Sequence, residues 1–279
     1  AIWPVRAVGL LLCLPLVCYR APTPLPGTFE LTVLDVGQGL AAVVRTHSHV
    51  LLYDTGPAFQ SSRSAAELAV LPFFRHKGVR ELDMLLISHG DQDHSGGTRA
   101  VLDAMPVRQF IVGPSVSDAS REHQRCERGQ QWSWDGVTFT VLHPQSSSEH
   151  SANDSSCVLL IRGRDGSALL TGDIEAEGES ALIEHALPRV DVVVAPHHGS
   201  GTSSTSLFVE GVRPDVTIFS TGYRNRWRMP RADVVERWRK AGARTYDTAL
   251  SGALTATFEA GETRVREQRH LRRRYWGRL

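Results

Sequence analysis

The apolar run Met84-Leu85-Leu86-Ile87 breaks off into His89-Gly90-Asp91-Gln92-Asp93-His94, which packs two imidazoles and two carboxylates into six residues. A run of this length bounded by glycine reads as a buried strand. Its end must therefore point a polar cluster away from the core at one edge of a sheet. Imidazole nitrogen and carboxylate oxygen are the donors that Zn²⁺, Mn²⁺ and Fe²⁺ accept. Gly96-Gly97 follows and lets the backbone pass close to whatever the cluster holds. Three further apolar runs end in the same manner: Leu51-Leu52-Tyr53 at Asp54-Thr55-Gly56, Ala168-Leu169-Leu170 at Thr171-Gly172-Asp173, and Val192-Val193-Val194 at Pro196-His197-His198-Gly199-Ser200. Polar groups that all terminate strands can converge on one sheet edge.

The intervening pattern predicts strands over 29–36, 41–46, 50–54 and 82–88, and helices over 65–76 and 98–104. A second half begins near Val137, with strands over 137–142, 157–162, 168–171, 190–195 and 216–220 and helices over 176–187 and 232–241. Two strand-rich halves with interspersed helices suit an α+β fold, an αββα sandwich of two sheets covered outside by helices. With 279 residues, 41% of them hydrophobic, the chain can bury such a core. Absence of a linker-like stretch between the halves favours one domain over 29–262.

These blocks, together with Leu34-Asp35-Val36-Gly37-Gln38-Gly39 and Asn153-Asp154-Ser155-Ser156-Cys157, resemble the metallo-β-lactamase superfamily. More closely, they resemble the C-terminal hydrolase-like domain of ComEC/Rec2 DNA-internalisation proteins. The resemblance implies two divalent metal ions, Mn²⁺ or Zn²⁺. Carried over position by position, His89 and Asp91 serve one ion and Asp93 and His94 the other, with Asp173 bridging and His197 or His198 closing the shell. Asp93, Asp173, His197 and His198 are the candidate catalytic residues; Asp54, Asn153, Asp154 and Ser200 are candidates for orienting ligands or touching substrate. Asp54 either orients a ligand histidine or caps the Thr55-Gly56 turn.

Three positions depart from the superfamily's usual pattern. Asp91 stands where a histidine is usual, Asn153 or Asp154 where a distant histidine is expected, and Met229 where related chains often carry a histidine before proline. The first two make the first ion's site richer in oxygen and favour Mn²⁺ or Mg²⁺ over Zn²⁺ there. Such a carboxylate-held pair suits hydrolysis of phosphodiesters. The implied activity is a nuclease that hydrolyses DNA phosphodiesters during import, degrading the strand that is not imported. A hydrolase of other phosphodiesters (phosphocholine esterase-like) and a non-catalytic DNA-guiding domain are the alternatives.

A formal net charge of +1 argues for no global nucleic-acid field. Locally, Arg224, Arg226 and Arg228 beside Asn225 and Trp227 offer a basic, aromatic surface for single-stranded DNA. Arg264, Arg266, Arg269, Arg272, Arg273, Arg274 and Arg278 crowd residues 263–279, read as a basic tail. Residues 7–19 are almost wholly apolar and 21–28 are rich in proline, so 1–20 read as the tail of a membrane helix and 21–28 as a linker. The family context then implies three things: a membrane-embedded remainder of the same polypeptide, other competence proteins as partners, and a hydrolase domain on the periplasmic or outer face of the inner membrane. Cys126 and Cys157 pair if that face is oxidising and are otherwise two buried thiols.

Overall fold

Runs that are apolar at every position, such as Met84-Leu85-Leu86-Ile87, need cover on both faces, and the fold supplies it. In a computed structural model of the chain, described for residues 22–59, 63–117, 122–145, 151–185, 187–259 and 261–271 together with Val8, Met84 and Leu86 face one apolar core while Leu85 and Ile87 face another. The expected membrane segment, apart from Val8, lies outside the described residues, as do Arg272, Arg273, Arg274 and Arg278.

In chain order the strands are β1 (Glu30–Val33), β2 (Ala42–Arg45), β3 (Val50–Tyr53), β4 (Leu82–Ile87), β5 (Val107–Val112), β6 (Gln124–Arg125), β7 (Gln131–Trp134) and β8 (Val137–His143). There follow β9 (Val158–Arg162), β10 (Ser167–Leu170), β11 (Val192–Val194), β12 (Val216–Phe219), β13 (Arg244–Asp247), β14 (Leu254–Glu259) and β15 (Glu262–Glu267). One sheet runs β15-β14-β1-β2-β3-β4-β5-β6 and the other β13-β12-β11-β10-β9-β8-β7. Each is antiparallel on one side and parallel on the other, the parallel parts being β3 to β6 and β10 to β13.

The two sheets face each other across a core that includes Leu31, Tyr53, Phe139, Leu159 and Ile218. Helices Leu71–Lys77 and Thr98–Ala104 cover the outer face of the first sheet, over Leu52, Leu85 and Val112. Helices Ala176–Glu184, Ser206–Val212 and Ala232–Lys240 cover the second, burying Leu182, Phe208 and Trp238. The architecture is the αββα sandwich. Tyr53 pairs with Leu86 and Leu170 with Val194, so neighbouring parallel strands end level with each other. That alignment brings the residues following them together.

Beyond elements for which the sequence reading has no counterpart (β5, β6, β7, β13, β14 and the helix Ser206–Val212), two segments differ from what it expects. The helix expected over 65–76 begins as a π-helical turn, Ala66–Val70, and becomes α-helical at Leu71, next to Pro72, whose missing N–H suits a first turn. The tail expected from 263 onward is a strand in its first part. β15 pairs with β14 through Ala256–Val265 and Leu254–Glu267, while Arg264 reaches Glu259 at 2.9 Å. Alternation in Thr263-Arg264-Val265-Arg266 hides a half-covered edge strand behind its arginines.

Candidate functional site

Asp54 follows β3, Ser88 and His89 follow β4, Asp173 follows β10, His197 and His198 follow β11, and Ser220 follows β12. Asp93 and His94 sit on the short helix Gln92–Ser95 just beyond β4. Gly172 (φ 56°) lets the β10 turn press against its neighbours, since a Cβ there would lie 2.7 Å from Ser156 Cβ and 3.0 Å from Ser88 Cβ. Asp54 (φ 59°), His197 (φ 47°) and His198 (φ 56°) also occupy the left-handed region, a conformation that costs non-glycine residues energy and clusters where function over-determines the backbone.

Asp93, His94, Asp173 and His198 each present a donor atom within 4.8 Å of the others. His94 Nε2 lies 3.1 Å from His198 Nε2 and 3.0 Å from Asp173 Oδ1. His198 Nε2 is 3.3 Å from Asp93 Oδ2 and 3.4 Å from Asp173 Oδ2. Edges of this length match donors about 2.0–2.2 Å from a shared centre.

The partners of the outer ring nitrogens fix the tautomers. His198 Nδ1 donates to the Ser220 carbonyl at 2.8 Å, an acceptor only. His94 Nδ1 donates to Asp54 Oδ2 at 2.7 Å. The Ser88 hydroxyl also donates to that carboxylate, at 2.7 Å, so its oxygen accepts from His89 Nδ1 at 3.0 Å. His197 Nδ1 donates to Glu175 Oε1 at 2.9 Å. In its neutral form each of these rings thus turns a bare Nε2 inward.

Two lone pairs facing each other 3.1 Å apart repel unless a cation or proton lies between them. Burial by itself disfavours an imidazolium at His198, but the Asp173 charge and hydrogen bonds to Asp173 and Asp93 outweigh it and push the group up to about 9. His94 is raised in the same sense against its burial, by Asp173 and Asp54. Burial would raise Asp173, yet the His198 and His94 charges hold it well below the usual carboxylate range. Asp173 Oδ1 and His89 Nε2 are buried without a hydrogen-bond partner. These bare atoms, two carboxylates and opposed nitrogens fit a divalent cation.

Other candidates sit at the margin. His89 Nε2 is 3.7 Å from Asp91 Oδ2, and the His89 ring is 4.3 Å from that of His94, so the pair stands beside the main cluster. His197 Nε2 is 3.8 Å from Asp173 Oδ2, half-exposed and tied to Glu175. The sequence leaves the two adjacent histidines equivalent; the structure puts His198 within the cluster and His197 on its edge. Asp154 is turned to another task, accepting from Glu175 N at 2.7 Å and Gly178 N at 2.8 Å at the start of helix Ala176–Glu184. The Asn153 carbonyl accepts from Ser156 N at 2.9 Å, in the turn whose Ser156 hydroxyl accepts from Asp173 N at 3.1 Å. Ser200 Oγ bonds Thr202 Oγ1 at 2.9 Å.

Ser88, Glu175 and Ser220 are the residues that sequence reasoning missed. Ser88 was legible only as part of a motif, and Ser220 acts through its carbonyl, which no side-chain signal reports.

The model of the metallo-β-lactamase superfamily matches residues 34–222. Competence protein ComA of Neisseria gonorrhoeae is 36% identical over 275 residues, covering 97% of this chain and 38% of that protein. Recombination protein 2 of Haemophilus influenzae is 34% identical over 260 residues, covering 93% of this chain and 32% of that protein. The chain therefore spans about a third of the length of these curated relatives. Among solved structures, a putative metal-dependent hydrolase from Parabacteroides distasonis superposes with a TM-score of 0.53 at 12% identity, over 81% of this chain and 96% of that one. That likeness carries the fold, while the family model covers the blocks of residues that end at the clustered side chains. The chain belongs to the metallo-β-lactamase superfamily.

Proposed function

We propose that this chain is a metal-dependent nuclease domain that hydrolyses DNA phosphodiesters during DNA uptake. The carrying observation is the opposed pair of bare Nε2 atoms of His94 and His198, flanked by Asp93 and Asp173. His94, His198, Asp93 and Asp173 would hold one ion; His89 and Asp91 would hold a second, with Asp173 reaching both. Bound there, divalent ions supply positive charge against a phosphoryl oxygen and acidify water towards neutrality. Asp91, a carboxylate beside His89, adds an oxygen donor there and favours Mn²⁺. Asp54, Ser88 and the Ser220 carbonyl orient the imidazoles, and His197, held by Glu175 through Nδ1, would pass a proton from Nε2 to a departing oxygen only after taking one up there as an imidazolium. DNA as substrate draws support from the names of the competence and recombination relatives.

The greater length of the same relatives supports a longer polypeptide, their names support competence proteins as partners, and the resemblance to ComEC/Rec2 proteins suggests a place beside the inner membrane. No helix among the described residues is long and apolar enough to cross a membrane. The Cys126–Cys157 disulfide supports an oxidising, periplasmic or outer face. A non-catalytic DNA-guiding reading draws on Met229, a thioether that accepts from Gln38 Nε2 at 3.6 Å and cannot move a proton.

The test is incubation of the chain with labelled single-stranded DNA and Mn²⁺, beside His94→Ala and Asp173→Ala. Cleavage by the parent lost in both variants is the expected result. A folded protein that cuts nothing with Mn²⁺, Mg²⁺ or Zn²⁺ would sink the reading and leave the guiding one or a hydrolase of other phosphodiesters.

A further inference from the structure

Among the described residues, Phe59, Tyr223 and Trp227 are the exposed phenylalanine, tyrosine and tryptophan side chains, at 40%, 46% and 48% exposure. All three stand at the cluster's end of the sandwich, on loops that touch the cluster's own backbone. Residues 222–230 begin just after Ser220, whose carbonyl holds His198 and whose hydroxyl donates to the Gly39 carbonyl at 2.7 Å. The segment ends where Arg231 N donates to the Gly199 carbonyl at 2.9 Å. Both ends are thus clipped to the turn that carries His198. Gly39 in turn lies against the Asp93 backbone, since a Cβ there would be 2.2 Å from Asp93 O and 3.0 Å from Pro57 Cδ. The loops at Pro57, Gly39 and Gly222 therefore lie side by side.

Residues 222–230 are also built to keep their shape. The Asn225 side chain donates to the Gly222 carbonyl at 3.0 Å and the Met229 carbonyl at 2.5 Å, and accepts from Met229 N at 2.9 Å. Gln38 accepts from Gly222 N at 3.2 Å. On this brace Arg224 lies 5.2 Å from the Tyr223 ring and Arg226 4.3 Å from the Trp227 ring. No acidic residue occurs between Asp215 and Asp233. Exposed rings flanked by guanidinium groups on a braced, acid-free loop take planar, uncharged faces joined by phosphates. A duplex hides those faces within its stack; a single strand offers them.

We infer that residues 222–230 form a single-strand platform, in which Tyr223 and Trp227 stack unpaired bases while Arg224, Arg226 and Arg228 grip the flanking phosphates and lead the strand into the cluster. The inference rests on the reading of the cluster as one that acts on DNA, and deepens it by committing to unpaired strands.

The experiment is equilibrium binding by fluorescence anisotropy, with EDTA present so that no cleavage intervenes. The probes are labelled oligothymidylate, the same length of abasic phosphodiester strand, and the same length of duplex. Oligothymidylate should bind tightest. Trp227→Ala and Tyr223→Ala should each weaken it by about 5- to 100-fold, the range of one lost stack, and erase its advantage over the abasic strand. Trp227→Phe should retain most of the affinity. Arg226→Ala should weaken all three probes and flatten the dependence on salt. Arg80→Ala, which removes a cation before the opposite end of β4, should change nothing. Equal affinity of Trp227→Ala and parent, or an abasic strand or duplex bound as tightly as oligothymidylate, overturns the platform. Binding of the expected pattern without cleavage in Mn²⁺ overturns the nuclease reading instead.

Discussion

The Asp54 carboxylate is fully buried and accepts from Ser88 N, from Ser88 Oγ and from His94 Nδ1, each at 2.7 Å. Each bond has a consequence one step away: the serine hydroxyl sets the His89 tautomer, and the imidazole N–H frees His94 Nε2 for the cluster. Asparagine tolerates the left-handed backbone that Asp54 adopts at φ 59°, so Asp54→Asn removes charge and one acceptor without disturbing the turn. Its amide must face one of three donors. Expected is a 10- to 100-fold loss of Mn²⁺ affinity, roughly what orienting partners of metal ligands are worth, read from free Mn²⁺ by electron paramagnetic resonance. Unchanged affinity in a folded variant would mean that Asp54 only shapes the turn. Sequence reading could name Asp54 because an aspartate ending an apolar run is visible in one dimension. It could not rank His197 against His198, because what separates them is the Ser220 carbonyl, 22 residues away.

At the scale of elements, the turn into β9 is tied to the strands that carry the cluster. Cys157 N, just before it, donates to the Ser88 carbonyl at 2.9 Å, and Tyr53 Oη donates to the Cys157 carbonyl at 2.5 Å. The disulfide to Cys126 fastens that junction across 31 residues, with Cα atoms 6.0 Å apart. Closing a loop of that size in the unfolded chain stabilises the fold by roughly 3–4 kcal/mol. For a domain of this size that is about 10 °C in melting temperature. The Cys126→Ala/Cys157→Ala double variant should melt lower by about that amount, and dithiothreitol should lower the parent but not the variant. A parent indifferent to reductant would argue for free thiols. The sequence offered two readings of these cysteines because pairing depends on how β6 and β9 approach, which residue spacing does not encode. β13, β14 and β15 went unread for a different reason: their polar alternate positions are exposed or half-buried, so the apolar signal that revealed β4 and β11 is halved there.

Across the whole molecule, the cluster is a junction between the two sheets: Asp54 and His94 belong to the first, while Asp173, His198 and Ser220 belong to the second. A cation held there cross-links the halves, and protons compete for the same nitrogens. Without metal, His198 is raised from its ordinary value of 6.5 to about 9, so its ion pairs with Asp173 and Asp93 contribute fully below pH 6.5. That contribution is lost as pH rises through about 9, and it is on the order of 3 kcal/mol. Metal binding has the opposite slope, because a ligand imidazole must first shed its proton and affinity climbs until it has done so. Melting temperatures in EDTA should therefore fall between pH 6.5 and 9, and the gap between Mn²⁺-loaded and EDTA-treated protein should widen over the same interval. His198→Asn should weaken both trends and leave the part that His94 contributes through Asp173 and Asp54, since the amide neither titrates nor presents the same nitrogen. A gap independent of pH in the parent would mean that the stabilising cation sits away from His198, and would move the metal to the His89 and Asp91 pair.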